Sequence, residues 1–573
     1  MKIDLKFSLL FTALLNITAT NIYAQQVALV APATKTPVVN AGFLNQELKQ
    51  QQLQTEKVKP SGELFNNNLQ THASSSQTTV KFILAHIALL DLEGKPIEEN
   101  LSFLTQHYLN TPISVNDLTQ LAEQITQYYR SHNYLVAKAI LPPQEIDNGN
   151  VYFYVIKGKI GDTEIKNNSK LNSKLVERIN NVTFDQAVYV YKDDLEKLAL
   201  LLNDIQGIEP SLSVKAGKQK ETTDFVISLQ DSKRFGGYAM FDNQGNKDTG
   251  GYRLSTGTYA NNLLGYGDEL KLDLLGSNNA NLFSARLDYS AMIDGYGTRL
   301  GVIGNYLNYK LGGNFKALKA NGNSNTLGVY ISHPSIRTPH FRLNTKVSFN
   351  HQNLADKQSA VGLVQKRKVN SIGLGVYGSW RSVENGVSYF SATINFGHQN
   401  NHTNEQSQYQ ADNFKPKQSF TVFNYTFSHE QSLPKSFALN LSLNGQFSDK
   451  NLDSSQKMLL GGLYGVRGYQ SGVASVDKGH ILQTEIKHYL PLFKESILTT
   501  SAFYDAGFGS YYKDTKSLDD SVDNSVSLQS IGLGFNLSVV NNYSLNFIWA
   551  TPVGKKLKNT DNNQFWLSLV KTF

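Results

Sequence analysis

From Arg234 to the C-terminus, hydrophobic and polar residues alternate with a period of two. Phe341, Leu343, Thr345, Val347 and Phe349 interleave with Arg342, Asn344, Lys346, Ser348 and Asn350. Phe283, Ala285, Leu287 and Tyr289 alternate with Ser284, Arg286, Asp288 and Ser290, and Phe437, Leu439, Leu441 and Leu443 with Ala438, Asn440, Ser442 and Asn444. Successive side chains of a strand face opposite ways, so each segment reads as a strand with one apolar face and one polar, partly charged face. Strand starts fall near residues 234, 251, 268, 282, 298, 324, 339, 367, 386, 418, 434, 480, 496, 525, 542 and 563. A soluble sandwich with this alternation needs a partner for every strand edge. Closure into a barrel removes the edges, and lipid outside with water inside accounts for both faces. Residues 232–573 therefore predict a transmembrane β-barrel of about sixteen antiparallel strands, an even number that leaves an aqueous lumen.

Before the barrel the period changes. Residues 80–157 read as β-α-α-β-β: a strand over Val80–Leu90, a helix near Ile97–His107, a second helix capped by Ser114, then strands over Tyr134–Leu141 and Val151–Ile156. Leu118, Leu121, Ala122, Ile125 and Tyr129 form the apolar stripe of the second helix. Residues 158–231 repeat the scheme, with strands at Thr163–Asn167, Leu212–Lys215 and Phe225–Leu229, a helix at Asn172–Asn181, and another marked by Leu195, Leu198, Ala199 and Leu202. Two small modules with exposed sheet edges suit capture of an extended peptide by strand addition. The expected edge is Tyr134–Ile140, beside the helix bearing Tyr128, which makes Tyr128, Tyr134, Leu135, Val136 and Ala137 the candidate substrate contacts.

Residues 1–24 have the plan of a signal peptide: Lys2 and Lys6, an apolar run from Phe7 to Leu15, and a small residue at Ala24. Residues 25–59 form an N-terminal segment in which Ala41–Lys59 carries a helical stripe of Phe43, Leu44, Leu48 and Leu53 among Gln, Glu and Lys. That stripe is too thin for a core helix and suits a plug in a wet lumen. Residues 60–79 are a polar flexible linker.

Composition narrows the chemistry. The 573 residues contain no Cys, which removes disulfides, thiolate metal sites and cysteine nucleophiles. The net charge of +7 is spread without a dense Lys/Arg tract, so nothing points to nucleic acid. There is no Gly-rich phosphate loop, no His-Glu-x-x-His and no Gly-x-Ser-x-Gly. His398 and His402 stand four apart in a Gln/Asn-rich stretch without carboxylate partners, and Asp193-Asp194 are adjacent acids that point apart. No catalytic residue, metal site or cofactor is expected.

The longest connection in the barrel, roughly Asp449 to Gly479, holds Leu459-Leu460-Gly461-Gly462-Leu463-Tyr464-Gly465-Val466-Arg467-Gly468-Tyr469. Its glycines let the loop tip double back and aim Arg467 inward. On the strand Phe503-Tyr504-Asp505-Ala506-Gly507, residues Phe503, Asp505 and Gly507 share a face, which must be the lumen because a carboxylate facing lipid is costly. Arg467 and Asp505 are therefore the expected gating lock, with Val466, Gly468, Tyr469, Phe503 and Gly507 in support. In a wet lumen the pair would fix the loop more than stabilise the barrel.

These motifs resemble the outer-membrane transporters of two-partner secretion, the family of haemolysin, filamentous-haemagglutinin and contact-dependent-inhibition exporters. The likeness runs from about residue 41 to 573. It includes Tyr134-Leu135-Val136-Ala137, Leu141-Pro142-Pro143-Gln144 and Asp147-Asn148-Gly149 in the first module, and Thr223-Asp224-Phe225 in the second. It continues in Asp242-Asn243-Gln244-Gly245, Asn262-Leu263-Leu264-Gly265-Tyr266-Gly267-Asp268, Val466-Arg467-Gly468-Tyr469 and Phe503-Tyr504-Asp505-Ala506-Gly507. Lys157-Gly158 stands where the family commonly has Glu-Gly, and Lys571 occupies a usually apolar position. The resemblance implies two POTRA-like periplasmic modules, a plug helix and an outer-membrane barrel in a Gram-negative bacterium. It implies a large secreted β-helical partner (haemolysin, adhesin or inhibition toxin), contact with outer-membrane lipid, and delivery by the barrel-assembly machinery. A barrel-assembly insertase and a passive porin are the rival functions.

Overall fold

The computed structural model describes residues 39–55, 80–382, 384–403, 418–493, 495–516, 523–540, 542–554, 557 and 560–573. The expected signal peptide, the linker and the end of the plug helix beyond Thr55 lie outside these residues. Sixteen antiparallel strands close into a barrel: β1 Phe235–Asp242, β2 Arg253–Asn261, β3 Glu269–Ser277, β4 Leu282–Met292, β5 Arg299–Lys310, β6 Ala320–Arg337, β7 Phe341–Gln358 and β8 Leu363–Arg381, then β9 Gly386–Thr403, β10 Ser419–Leu433, β11 Phe437–Ser448, β12 Lys478–Pro491, β13 Ser496–Ser510, β14 Ser525–Val539, β15 Tyr543–Pro552 and β16 Gln564–Thr572. Each starts within four residues of the position that the alternation predicts.

The two faces separate as lipid and lumen require. Leu327, Val329 and Ile331, Val347 and Phe349, and Ile372, Leu374 and Val376 point outward and are exposed, whereas Arg342, Asn344, Asp356 and Arg367 point inward and are buried. The wall is uneven in height. β6 to β9 have 18 or 19 residues, about twice the 8 or 9 of β1 to β3. Closure is brief, because β16 pairs with β1 over Ser568↔Asp242 to Thr572↔Tyr238, five residue pairs. Asn243 lengthens this seam with its side chain, accepting from the Leu567 N–H at 2.8 Å and donating to the Phe565 carbonyl at 2.9 Å.

The first module is a three-stranded sheet, ordered His86–Leu90, Asn150–Ile156, Lys138–Ile140, under helix α2 (Val115–Ser131). Ser114 and Asp117 form a reciprocal capping box at the α2 N-terminus, and Leu118, Leu121, Ile125 and Tyr129 are buried against Phe153 and Val155. Three local expectations change. The strand over Val80–Leu90 breaks at the buried Leu84, so that Lys81–Ile83 pairs with Pro112–Ser114 while His86–Leu90 pairs with Asn150–Ile156. The helix near Ile97–His107 is reduced to Ser102–Thr105 and a 3-10 turn, and Leu101 at its start offers no side-chain cap. The strand over Tyr134–Leu141 contracts to Lys138–Ile140, because Tyr134 and Leu135 leave the sheet and pair with the second module.

That second module packs α3 (Ser173–Thr183) and α4 (Lys192–Asn203) on strands Lys159–Asn168, Thr222–Asp231 and Ile208–Ala216. It docks on the barrel's periplasmic turns. The Asn172 N–H donates to the Gly265 carbonyl at 2.9 Å, and Met292 joins the module's core. Gly265 has φ +82°, and a Cβ there would press on Lys170. Asp204 accepts from Arg337 at 2.7 Å and from Arg342 at 3.1 Å, both at the β6–β7 turn. Asp204→Ala is expected to broaden spin-label distances between second module and barrel at least twofold while leaving the barrel's heat-resistant mobility unchanged; an unchanged distribution would assign docking to the backbone contacts alone.

Candidate gating site in the barrel lumen

The connection between β11 and β12 folds back into the lumen. A two-residue ladder, Met458–Leu459 with Ser475–Val476, closes its stem. At the tip Gly462 takes φ +103°, and the Val466 N–H donates to the Leu460 carbonyl at 2.7 Å. This tight turn aims Arg467 at the wall. Arg467 Nε and Nη2 reach the Asp505 carboxylate on β13 at 3.0 and 2.8 Å, and the Arg467 backbone N–H reaches it at 3.0 Å. Nη1 donates to Glu485 on β12 at 3.1 Å, and the guanidinium lies 3.4 Å above the centre of the Phe503 ring. One cation thus meets two carboxylates and an aromatic face.

The strands on either side complete the seat. Ser530 on β14 donates to Asp505 at 3.3 Å and accepts from the Gly468 N–H at 3.1 Å. Trp566 Nε1 on β16 donates to the Arg467 carbonyl at 2.8 Å. Any side chain at Gly468 would strike Ser530 and Pro552, and one at Gly507 would strike Val466, so Gly507 makes room for Val466 and not for the guanidinium. Tyr469 and Val466 are fully buried in an apolar cluster with Leu460, Val476 and Leu528. Arg467 is 6% exposed and Asp505 0%, so the expected wet setting is in fact dry. Removing one partner of such a buried pair typically costs about 3–5 kcal/mol. Glu485, Ser530 and Trp566 were absent from the sequence expectations, since only the register of β12, β14 and β16 brings them here.

A helix fills the remaining lumen. α1 (Ala41–Thr55) buries Ala41, Phe43 and Leu44 among Leu307, Tyr309, Leu354, Val369, Phe420 and Val422. Farther along it is held by polar contacts. Asn45 donates to Ser324 at 2.5 Å, Gln50 to the Leu459 carbonyl at 3.0 Å, and Arg286 donates to Gln52 at 2.5 Å. Its first N–H, at Ala41, donates to Asp356 on β7 at 2.9 Å. Asp356 also accepts from Tyr309 at 2.6 Å and from Arg367 on β8, whose other arm reaches Asp453 in the folded-back loop at 2.6 Å. One arginine therefore joins the helix seat to the loop that carries Arg467.

The candidate contacts of the first module fall elsewhere. Tyr134, Leu135, Val136 and Ala137 do not form an open strand edge. The Leu135 N–H donates to the Val190 carbonyl, and the Tyr134 ring lies 5.7 Å from Tyr189 and 5.2 Å from Tyr191. Val136 packs on Gly158, which takes φ +80°, and Ala137 is fully buried. In the remaining edge strand the Ala139 N–H, which a captured peptide would need, donates to Thr126 at 2.9 Å. Lys157 sits 5.6 Å from each of the Tyr129, Tyr134 and Tyr189 rings and pairs with Glu99. Burial pushes the Glu99 carboxyl up, but hydrogen bonds from Lys157 and Tyr129 leave it below its ordinary value. Tyr128 remains half-exposed, its ring tilted against His132 at 4.1 Å and against the exposed Phe103 at 5.6 Å.

Residues 221–537 match the family described as haemolysin secretion/activation protein ShlB/FhaC/HecB, and residues 86–158 match the ShlB-type POTRA domain. The chain belongs to that family. It is 52% identical over 536 residues to the Heme/hemopexin transporter protein HuxB of Haemophilus influenzae, which covers 93% of this chain and 95% of HuxB. It is 23% identical over 399 residues to the outer membrane transporter CdiB of Dickeya dadantii, covering 67% of this chain and 68% of that one. Among solved structures, CdiB from Escherichia coli superposes with a TM-score of 0.69 at 16% identity over 93% of this chain and 99% of CdiB. BamA from Haemophilus ducreyi, lacking POTRA domains 1–3, gives 0.51 at 15% identity over 86% of this chain and 100% of BamA. Membership of this two-partner secretion family sets the barrel in a Gram-negative outer membrane with its modules in the periplasm.

Arg467→Ala strips Asp505 and Glu485 of their cation, yet leaves every barrel ladder intact. The expected result is loss of secretion by at least ~10-fold with unchanged heat-resistant mobility on gels. Exchanging Arg467→Asp with Asp505→Arg should restore only part of the export, because the new acid at 467 faces Glu485; adding Glu485→Gln should raise it further. A double exchange that secretes no better than either single variant, with or without Glu485→Gln, would argue against direct pairing.

Proposed function

We propose that this protein exports one large, unfolded β-helical partner from the periplasm to the cell surface, through a lumen that α1 occupies at rest and Arg467–Asp505 keeps in register. The observation that carries this is the filling itself. The lumen of a sixteen-strand barrel is taken up by a separate helix, and the helix is held by a small apolar patch and side-chain hydrogen bonds with no strand pairing. Such a filling can leave without unzipping the barrel. The domain division follows: signal peptide 1–24, plug segment 25–59, linker 60–79, modules 80–157 and 158–231, and barrel 232–573.

Partner capture is assigned to the first module, now through Tyr128 with its neighbours Phe103 and His132, since Tyr134 to Ala137 form the inter-module joint. The energy for export comes from folding of the partner outside. The HuxB relatives are named Heme/hemopexin transporters, and on that likeness the cargo belongs to a haem-acquisition system and not to a toxin system. The chain acts as a conduit and catalyses no reaction. Barrel-assembly machinery delivers it to the membrane.

Deleting residues 25–59 tests the plug. Single-channel conductance in planar bilayers and antibiotic entry should both rise severalfold; unchanged values would rule the plug out. The alternative, an insertase-like opening of the wall, is favoured by the five-pair seam between β16 and β1. Because the chain lacks Cys, Met240→Cys with Val570→Cys, which oppose each other across that seam, gives a clean disulfide test. Export through the lumen should persist in the oxidised form; export that returns only on reduction would favour lateral opening.

A further inference from the structure

The outward face of the tall wall carries cations that the export pathway does not use. On the periplasmic two-thirds of β6 to β9 the outward side chains are chiefly apolar: Leu327, Val329 and Ile331, then Val347 and Phe349, then Ile372, Leu374 and Val376, then Ile394 and Phe396. Toward the opposite end, away from the periplasmic modules, the same face turns polar at one level. Leu327 stands opposite His351, Phe349 opposite Ile372, His351 opposite Asn370, and Asn370 opposite His398. Above this row come Lys366 and Lys368 on β8, Lys357 on β7 and Lys310 on β5, all exposed. Their outward direction follows from the alternation, since Asp356 and Arg367 between them point into the lumen and pair there.

Charge on this face is of one sign. Among the described outward positions of β5 to β9 above the apolar band there is no Asp or Glu, and the other side chains are chiefly amides and imidazoles, from Asn308, Asn321, Asn323, Asn325, Asn353 and Asn400 to His351 and His398. None of the four lysines is in an ion pair among the described residues. In the circular strand order the patch stands diametrically opposite the β1–β16 seam.

We infer that Lys357, Lys366 and Lys368, flanked by Lys310, bind the phosphate groups of the anionic glycolipid of the outer leaflet. Height selects this ligand over a phospholipid. Lys368 and Lys366 lie four and six residues beyond Ile372, where the continuous apolar band on β8 ends; at ~3.4 Å rise and ~40° tilt this is roughly 10 and 16 Å above the hydrocarbon. A phospholipid headgroup zone is only about 5–8 Å deep, whereas phosphates on a sugar headgroup reach farther. Lysines at i and i+2 on one strand face, with Lys357 on the neighbouring strand, present several point charges to such a headgroup. The amides and imidazoles supply hydrogen bonds to its sugars.

The test uses the full-length protein extracted from outer membranes. Glycolipid retained through purification is measured by mass spectrometry for the wild type, for K357Q/K366Q/K368Q, and for the periplasmic control K170Q/K174Q/K220Q. Retention should fall about tenfold in the first variant and stay at the wild-type level in the control. Delipidated wild-type protein is then titrated with phosphorylated lipid A, phosphatase-treated lipid A and phosphatidylglycerol. Preference for phosphorylated lipid A over both others is expected. Wild-type retention by K357Q/K366Q/K368Q would overturn the inference, as would equal binding of phosphatase-treated lipid A. Phosphatidylglycerol binding equal to that of phosphorylated lipid A would overturn the choice of ligand. Should the triple variant lose its heat-resistant barrel, the titration of wild-type protein decides.

Discussion

Hydrocarbon offers the peptide backbone no hydrogen-bond partner, and everything else in this molecule depends on that. A strand can cross a membrane only if both its edges are paired, which forces closure, and closure of sixteen strands leaves a hole. The hole must then be managed. This chain fills it with two elements that differ in chemistry: a helix seated by a few apolar side chains and amide hydrogen bonds, and a loop held by a buried ion cluster. Neither adds a strand to the barrel, so both can move while the ladder stays whole.

The two fillings are not independent. Arg367 contacts Asp356, which accepts the first N–H of α1, and Asp453, which lies in the same connection as Arg467. Displacing α1 removes one donor from Asp356 and leaves a buried carboxylate with Arg367 and Tyr309 as its partners. In a low-dielectric setting such a change is felt strongly by the remaining members of a network. The helix and loop therefore share an electrostatic account through one guanidinium, beside the direct Gln50–Leu459 contact, although no backbone-to-backbone hydrogen bond connects them among the described residues.

Much of this was legible in the chain because the membrane imposes a strict code. Period-two alternation survives even where single strands are short, and it placed all sixteen strands. Parity on β13 was enough to point Phe503, Asp505 and Gly507 into the lumen. What could not be read was register between distant strands. Glu485, Ser530 and Trp566 reach Arg467 from three different strands, and no local pattern in their own segments marks them. The same limit explains the misplaced capture edge: Tyr134 to Ala137 looks like an open strand in sequence, and a pattern of apolar residues is identical whether it faces a peptide or the next module. Phe43 and Leu44 were visible as a thin stripe, but the lumen patch that receives them, including Leu307, Leu354 and Phe420, is assembled from residues more than 250 positions away.

The composition of the ion cluster bears on how the loop is held. A strictly paired Arg–Asp couple, fully buried, would be satisfied within itself and indifferent to its surroundings. Here a single cation faces two acids, one of them wholly buried and the other, Glu485, partly open to the lumen. The excess negative charge makes the position selective for a cation at 467, because no neutral side chain would offset both carboxylates. It also means that the loop is held by Arg467 more than the barrel is held by the loop. Asp505 keeps a hydroxyl donor from Ser530 on its own wall, whereas the guanidinium donates its hydrogen bonds only to β12 and β13. The asymmetry places the cost of opening on the loop and leaves the membrane-spanning ladder, on which closure depends, outside the exchange.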